Sequence, residues 1–260
     1  SHGHTVFHQP KLGFSTQIGC GATIAAVTGR TTICDFRSLD VANSGQGAPL
    51  VPIGDKLLFG KHEACLNIGG IANISFNDKN GNRIAYDICE ANMLLNYLAE
   101  KLSQPFDKGG EIAKSGKINA ELLNKLNSQN YYSQNGAKSI GREWFEQNIL
   151  SLIENNGIEI KDLLATSTEH IAQIIANDLE DKKNVLVTGG GAFNTLLIEK
   201  IKSKTNCEII IPDAQTINFK EALIFAFLGY LRLYKKTNTL SSVTDAKSDS
   251  AGGAVYLGKV

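Results

Sequence analysis

Asn184-Val185-Leu186-Val187-Thr188-Gly189-Gly190-Gly191-Ala192-Phe193-Asn194 is the stretch that decides the fold. An apolar run of strand length meets a glycine triplet, and a helical pattern over 195–204 follows. That order predicts a buried strand turning into a helix. Backbone N–H groups at such a helix start can hold phosphate. The G-x-G-x-x-G spacing of dinucleotide sites is absent, and so is the G-K-[ST] ending of a Walker loop. Three adjacent glycines are hard to order, which favours close approach of a ligand over a plain turn.

Upstream, Leu66-Asn67-Ile68-Gly69-Gly70-Ile71-Ala72-Asn73-Ile74-Ser75 reads as a hairpin, strand to Gly-Gly to strand. On these residues alone the pair is as readily a bare turn as a phosphate-facing one. Further strands are predicted at 16–18, 31–34, 64–68, 72–76, 83–87 and 208–211. Helices are predicted at 20–28, 91–103, 119–127, 142–155, 161–177 and 218–234, the one from 161 and the one from 218 each with a single apolar face. This alternation predicts a mixed α/β architecture. The 101–143 region is more polar, with Lys108-Gly109-Gly110-Glu111 and Asn135-Gly136-Ala137-Lys138, and reads as an insertion of loops and short helices. The tail from 237 to 260 is poor in regular pattern.

Of 260 residues, 42% are hydrophobic and 20% charged, ordinary for a globular protein. Lys+Arg and Asp+Glu both number 26, so no global field draws the chain to nucleic acid or an anionic membrane. An anionic ligand must therefore be held by local devices. Cys20, Cys34, Cys65, Cys89 and Cys207 are scattered without C-x-x-C spacing, which points to a reducing compartment and no structural zinc. No apolar run reaches the ~18–20 residues of a membrane span. Ser1-His2-Gly3-His4-Thr5 lacks the features of a signal peptide, and a strand-like pattern starts almost at once, as though inside a domain.

Two further segments, and a few lone groups, could carry chemistry. In Arg83-Ile84-Ala85-Tyr86-Asp87-Ile88-Cys89-Glu90-Ala91-Asn92 an apolar strand ends on Asp87 before a helix. A carboxylate there can take a proton from a hydroxyl or water, although capping the helix is the commoner role of such an aspartate. In Asp35-Phe36-Arg37-Ser38-Leu39-Asp40-Val41-Ala42-Asn43-Ser44-Gly45-Gln46-Gly47-Ala48-Pro49-Leu50 a flexible Gly-Gln-Gly-Ala-Pro loop accompanies Arg37, which can grip a carboxylate. Glu221 opens an otherwise apolar helix, where an acid usually complements the dipole. Arg142 and Glu143 read as surface residues. His2 and His4 fall on one strand face, and with no third ligand in view zinc is set aside.

Taken in order, these segments resemble the anhydro-N-acetylmuramic acid kinase family of the actin/hexokinase-like ATPase superfamily. The resemblance runs through Ser1-His2-Gly3-His4-Thr5 with Gln9-Pro10, Gln17-Ile18-Gly19, and Asp35-Phe36-Arg37 as far as Pro52. It continues through Leu66 to Ser75, Tyr86-Asp87 with Asn92, Phe106-Asp107, Ala113 to Gly116, and Lys138-Ser139 with Gly141-Arg142-Glu143. It ends with Val187 to Asn194 and the stretch around Glu221-Ala222. The Asp-Phe-Arg through Gly-Gln-Gly-Ala-Pro-Leu stretch is its most specific part.

The resemblance implies a two-lobed actin/hexokinase-like (ribonuclease H-like) fold, with the first lobe left incomplete. Residues 1–64 would be the remainder of that lobe, with a substrate loop at 35–52. Residues 65–260 would be the nucleotide-binding lobe, with a helical insertion around 101–160. It implies a cytoplasmic homodimer using ATP and Mg²⁺ to open a 1,6-anhydro amino sugar with water and phosphorylate O6, giving N-acetylmuramate 6-phosphate in peptidoglycan recycling. Asp87 would activate the water. Gly69, Gly70, Asn73, Gly189, Gly190, Gly191, Ala192 and Asn194 would line the nucleotide, and His4, Arg37, Asn92 and Glu221 the sugar.

Two departures stand out. Where the family has Gly-Pro-Gly before its asparagine, this chain has Cys89-Glu90-Ala91, which puts side chains and a negative charge near an anion site. The family's N-terminal Gly-Thr-Ser-x-Asp-Gly phosphate loop has no counterpart, so an incomplete ATP site and open first-lobe sheet edges are expected. A non-catalytic nucleotide- or sugar-binding relative, or an actin-like kinase for another sugar, are the alternatives.

Overall fold

The computed structural model describes all residues except Asn135, Ala137, Asn155, Asn156 and Val260. Two positions of the predicted 135–138 loop and the end of the predicted 142–155 helix therefore lie outside the described residues. The described strands are β1 (Thr5–Gln9), β2 (Phe14–Gln17), β3 (Thr32–Cys34), β4 (Ala64–Ile68), β5 (Ile71–Asn77), β6 (Arg83–Glu90), β7 (Asn184–Thr188), β8 (Glu208–Ile210) and β9 (Ala254–Tyr256). Helices α1 (Gly21–Thr28), α2 (Ser38–Ala42) and α3 (Val51–Leu58) precede β4, and α4 (Asn92–Glu100), α5 (Glu111–Ser115) and α6 (Ala120–Asn127) follow β6. Then come α7 (Arg142–Phe145), α8 (Ser151–Ile153), α9 (Ile160–Asp178), α10 (Thr195–Lys202), α11 (Ala214–Leu233) and α12 (Ser241–Thr244). The expected mixed α/β class holds.

A five-stranded sheet has the order β6-β5-β4-β7-β8. β4 pairs in parallel with β7, and β7 with β8. Two glycines join β4 to β5, a link short enough only for antiparallel neighbours. β4 and β7 are buried at all but one position each, which is why both read as continuous apolar runs.

The chain divides into two compact units. One comprises Ser1–Gly60, Phe76–Ala85 and Phe219–Val260, the other Lys61–Ser75 and Tyr86–Asn218. This differs from the single boundary at 64/65 expected from sequence. In the first unit β3 pairs with β9 from the far end of the chain. The core of that unit gathers Ile33, Phe36, Leu50 and Ile53 with Ile224, Leu228 and Leu231 of α11. A Cβ on Gly54 would stand 2.5 Å from Ile224, so glycine is what lets α3 lie against α11. Asp55 is buried beside Lys220 at 2.8 Å.

In the second unit α9 is buried almost throughout, including Thr166, Ser167, Thr168, Glu169 and His170. The single apolar face read from sequence understates this, because Thr166, Glu169 and His170 find partners inside the fold. The predicted helix from 142 is interrupted by a π-helical turn, Glu146–Leu150. The pattern-poor tail is ordered all the same. Buried Asn238 donates to Leu228 O and Gly252 O and accepts from Gly252 N–H, so side-chain bonds to backbone replace apolar periodicity.

Candidate functional site

The two glycine turns meet in the second unit. Asn92 N–H donates to Gly69 O (3.1 Å), Ala91 and Met93 N–H donate to Gly70 O (2.9 and 3.0 Å), and Asn92 Nδ2 donates to Ile68 O (3.3 Å). The triplet packs on the same strand end. A Cβ on Gly189, where φ is +84°, would stand 2.7 Å from Ile68 O, and one on Gly191 2.2 Å from Ile68 Cγ2. Packing therefore accounts for two of the three glycines. Gly190 differs: it is exposed, and a Cβ there would have Asn92 Nδ2 at 3.6 Å as its nearest neighbour. Gly70 is likewise exposed, with Met93 Cβ at 4.0 Å. Gly69, Gly70, Asn92, Gly189 and Gly190 thus form one wall with bare backbone at two points.

Asn73 is half-buried on β5. Ala192 is buried in the short turn Gly190–Phe193. Asn194 caps α10, its Oδ1 accepting from Leu197 N–H at 3.1 Å, which explains that residue without a ligand. Sequence reading did not assign a site role to the Lys108–Gly110 turn. Gly109 and Gly110 have positive φ, and Gly109 O accepts from Thr195 Oγ1 at 3.0 Å, so this turn lies against the start of α10.

Asp87 is not the end of its strand, since β6 continues to Glu90. Nor does it cap α4, whose N-cap residue is Ala91, with no side-chain cap. Its carboxylate is held instead by a returning loop: Oδ2 accepts from Ile140 N–H (2.9 Å) and Ser139 Oγ (3.2 Å), and Asp87 N–H donates to Lys138 O (3.0 Å). Burial raises the carboxyl above its ordinary range, while those two donors pull it back in part. A half-buried carboxylate with a raised pKa and one oxygen left over suits a general base. At ~3.3 Å per strand residue, Asp87 lies about 13 Å along β6 from Ala91 and the glycine wall.

Glu90 does not bring charge to the glycine wall. It is fully buried, with Oε1 3.0 Å from His170 Nε2 and Oε2 accepting from Tyr132 Oη at 2.8 Å. A charged residue of this kind, expected from sequence beside an anion site, is instead consumed by internal partners.

The remaining candidates lie in the first unit. Arg37 Nη1 donates to Gly47 O (2.6 Å), and Nη2 lies 3.2 Å from His2 Nε2. Burial lowers the Arg37 pKa, and the nearby charge of exposed Glu221 offsets this in part. His2 stacks on Phe225 at 3.8 Å and 4°, and burial together with the Arg37 charge lowers its pKa to about 4. His4 is exposed and only its backbone is engaged, accepting from Ile18 N–H at 2.8 Å. His2, rather than His4, therefore joins Arg37. The signal lay in position: His2 precedes β1, so strand alternation did not govern it.

The loop read as flexible is pinned from inside. Buried Asp40 accepts from Gly47 N–H (2.7 Å) and Thr244 Oγ1 (2.8 Å). Among the described residues, no group of three or more His, Cys, Asp or Glu is placed to hold a metal ion, and no helix is long and apolar enough to cross a membrane.

A protein-family model described as anhydro-N-acetylmuramic acid kinase matches residues 1–258. Anhydro-N-acetylmuramic acid kinase of Aliivibrio fischeri is 38% identical over 98% of this chain and 74% of its own length. The kinase of the same name from Pasteurella multocida is 39% identical over 98% of this chain and 72% of its own. Among solved structures, the activator of the 2-hydroxyisocaproyl-CoA dehydratase from Clostridium difficile with bound ADPNP has a TM-score of 0.42 at 20% identity. It covers 72% of this chain and 67% of its own, a likeness too slight to argue from.

Proposed function

Since the chain belongs to the anhydro-N-acetylmuramic acid kinase family, we propose that Asp87 is the general base of its reaction and that the glycine wall seats the nucleotide. The activity is a phosphotransfer from ATP to 1,6-anhydro-N-acetylmuramic acid. Water adds at C1 and gives a proton to Asp87. The C1–O6 bond of the anhydro bridge breaks, O6 takes the γ-phosphoryl group, and ADP leaves with N-acetylmuramate 6-phosphate. The observation that carries the reading is the Asp87 carboxylate, oriented by Ile140 N–H and Ser139 O–H on the strand that leads to Asn92 and the glycine turns.

Asn92, Gly70 and Gly190 offer backbone and amide donors to phosphate oxygens, the type of electrostatic support that phosphoryl transfer demands. Magnesium comes with the triphosphate as part of the substrate, and phosphate oxygens and water supply most of its coordination. Arg37, with His2 and Glu221, is the proposed contact for the acidic sugar. His4 has less claim to that role than His2, because its ring is exposed and unengaged. The five free cysteines fit the proposed cytoplasmic location. A homodimer is the proposed assembly, which light scattering on the purified protein tests directly.

With Glu90 turned inward, nothing in the Cys89-Glu90-Ala91 departure favours a non-catalytic reading. The deciding experiment incubates the protein with ATP and the anhydro sugar and follows the 6-phosphate. Asp87→Asn should lower kcat by ~100-fold or more, as loss of a general base does. A variant with full activity would remove Asp87 from this role.

A further inference from the structure

Tyr131 and Tyr132 stand side by side at the start of the segment that returns to Asp87. Tyr131 Oη donates to Asp87 O at 2.8 Å, and Tyr132 Oη donates to Glu90 Oε2 at 2.8 Å. Trp144 packs against both rings, with centroids 5.0 and 6.1 Å away. The same segment then delivers Lys138 O, the Ser139 hydroxyl and Ile140 N–H to Asp87. The contacts that aim the Asp87 carboxylate thus have upstream of them two tyrosine hydroxyls bonded to Asp87 and Glu90 of β6.

Glu90, the acceptor for Tyr132, is itself fixed in depth. Glu90 and His170 are both fully buried, and His170 Nε2 also lies 3.2 Å from Tyr132 Oη. The other ring nitrogen, Nδ1, lies 2.5 Å from Asn127 Oδ1. The amides are oriented from the far end of this chain of contacts. Glu169 accepts from Gln173 Nε2 (2.8 Å), so Gln173 Oε1 accepts from Asn127 Nδ2 (2.6 Å) and Asn127 turns its oxygen to the ring. His170 Nδ1 therefore carries hydrogen, and Nε2 is left to share a proton with Glu90. Burial and the charge of Glu90 raise the Tyr132 pKa, so its hydroxyl stays a donor.

The geometry points to Tyr132 as a positioning residue for Asp87, seated by the buried Glu90–His170 pair. This rests on the reading of Asp87 as the base. Without the Tyr132 hydroxyl the returning segment gains freedom, and the carboxylate loses the fixed aim that proton abstraction needs. The glycine wall is tied by separate bonds, so binding of ATP should not change.

The test compares Tyr132→Phe, Glu90→Gln, Glu90→Ala and Asp87→Asn by steady-state kinetics with ATP and the anhydro sugar, alongside thermal midpoints. Tyr132→Phe should lower kcat about tenfold, as expected for loss of a hydrogen bond to a charged group, with both KM values within about twofold. Glu90→Gln should restore what Glu90→Ala loses. Its carbonyl still accepts from Tyr132, and its NH₂ donates to His170 Nε2 once the ring is neutral with hydrogen on Nδ1. Wild-type kcat in Tyr132→Phe while Asp87→Asn is inactive would overturn the positioning role alone. A Glu90→Gln enzyme as slow as Glu90→Ala would also overturn it, by assigning the effect to charge. Full turnover in Asp87→Asn would sink the base assignment and this inference with it. If Glu90→Ala does not fold, Tyr132→Phe, which removes a single oxygen, decides the matter.

Discussion

Alanine placed singly at Gly189, Gly190 and Gly191 should separate packing from ligand contact within three consecutive residues. At Gly189 the backbone has φ +84°, and a Cβ would meet Asn67 Oδ1 at 2.6 Å and Ile68 O at 2.7 Å. With ψ at 166° this is a positive-φ, extended region that glycine alone adopts readily, costing an L-residue roughly 1–3 kcal/mol, and forcing atoms into a filled space adds ~1–3 kcal/mol. Gly189→Ala should therefore destabilise by about 2–6 kcal/mol. Gly191→Ala carries only the overlap with Ile68 Cγ2 at 2.2 Å, or ~1–3 kcal/mol. Gly190→Ala meets nothing nearer than 3.6 Å and lies outside the positive-φ set, so it should be neutral or stabilising by up to ~1 kcal/mol. Its effect should fall on ATP, with KM raised several-fold, because the added methyl projects beside Asn92. Urea unfolding gives the stabilities and initial rates give the KM. A destabilised Gly190→Ala, or a Gly189→Ala as stable as wild type, would refute the division.

Other expectations follow from single groups. Asp87 has a raised folded-state pKa, so it contributes stability that is present below its unfolded pKa and is lost as pH rises through the folded value. Asp87→Asn should accordingly be more stable than wild type near neutral pH, with the difference vanishing below about pH 4, in thermal melts across pH. Glu169 is the opposite case. Burial pushes it up, but Lys200, Lys204 and Gln173 outweigh that and bring it to about 2. Its contribution should be present above pH ~4.5 and lost as pH falls toward 2, and Glu169→Gln should abolish that acid-sensitive part of the melting curve. Asp40→Ala leaves Gly47 N–H and the Thr244 hydroxyl without their buried acceptor. It should destabilise by roughly 2–4 kcal/mol and raise the sugar KM by loosening the carbonyl that holds Arg37, as calorimetry and kinetics would register.

How far the sequence could be read depended on where each signal was stored. β4 and β7 are legible to the residue because burial on both faces leaves an unbroken apolar run. β9 is not, since Ala254–Tyr256 is a strand only by virtue of β3, more than 200 residues earlier. Asp87 stood out through resemblance, whereas its holder Ile140 acts through a backbone N–H that any residue would supply. The Glu90–His170 contact joins β6 to α9 across 80 residues, so the motif around Glu90 could only register an unusual charge. The glycine triplet looked like one ligand-facing unit because the position of Ile68 beneath it is a tertiary fact.

The interleaving of the two units also sets a timetable for synthesis. Ser1–Gly60 shares its unit with Phe219–Val260, and β3, Asp40 and Asn43 wait for β9, Thr244 and Ser248. At ~5–20 residues per second on the ribosome, that wait is on the order of ten to forty seconds. Throughout it Ile33, Phe36 and Ile53 have no α11 to cover them. During that interval the nascent 1–60 stretch presents uncovered apolar side chains of the kind that holding chaperones bind. Ribosome stalling beyond β8 should expose it to protease, while Lys61–Asp178 already has its strands β4 to β6 and helix α9.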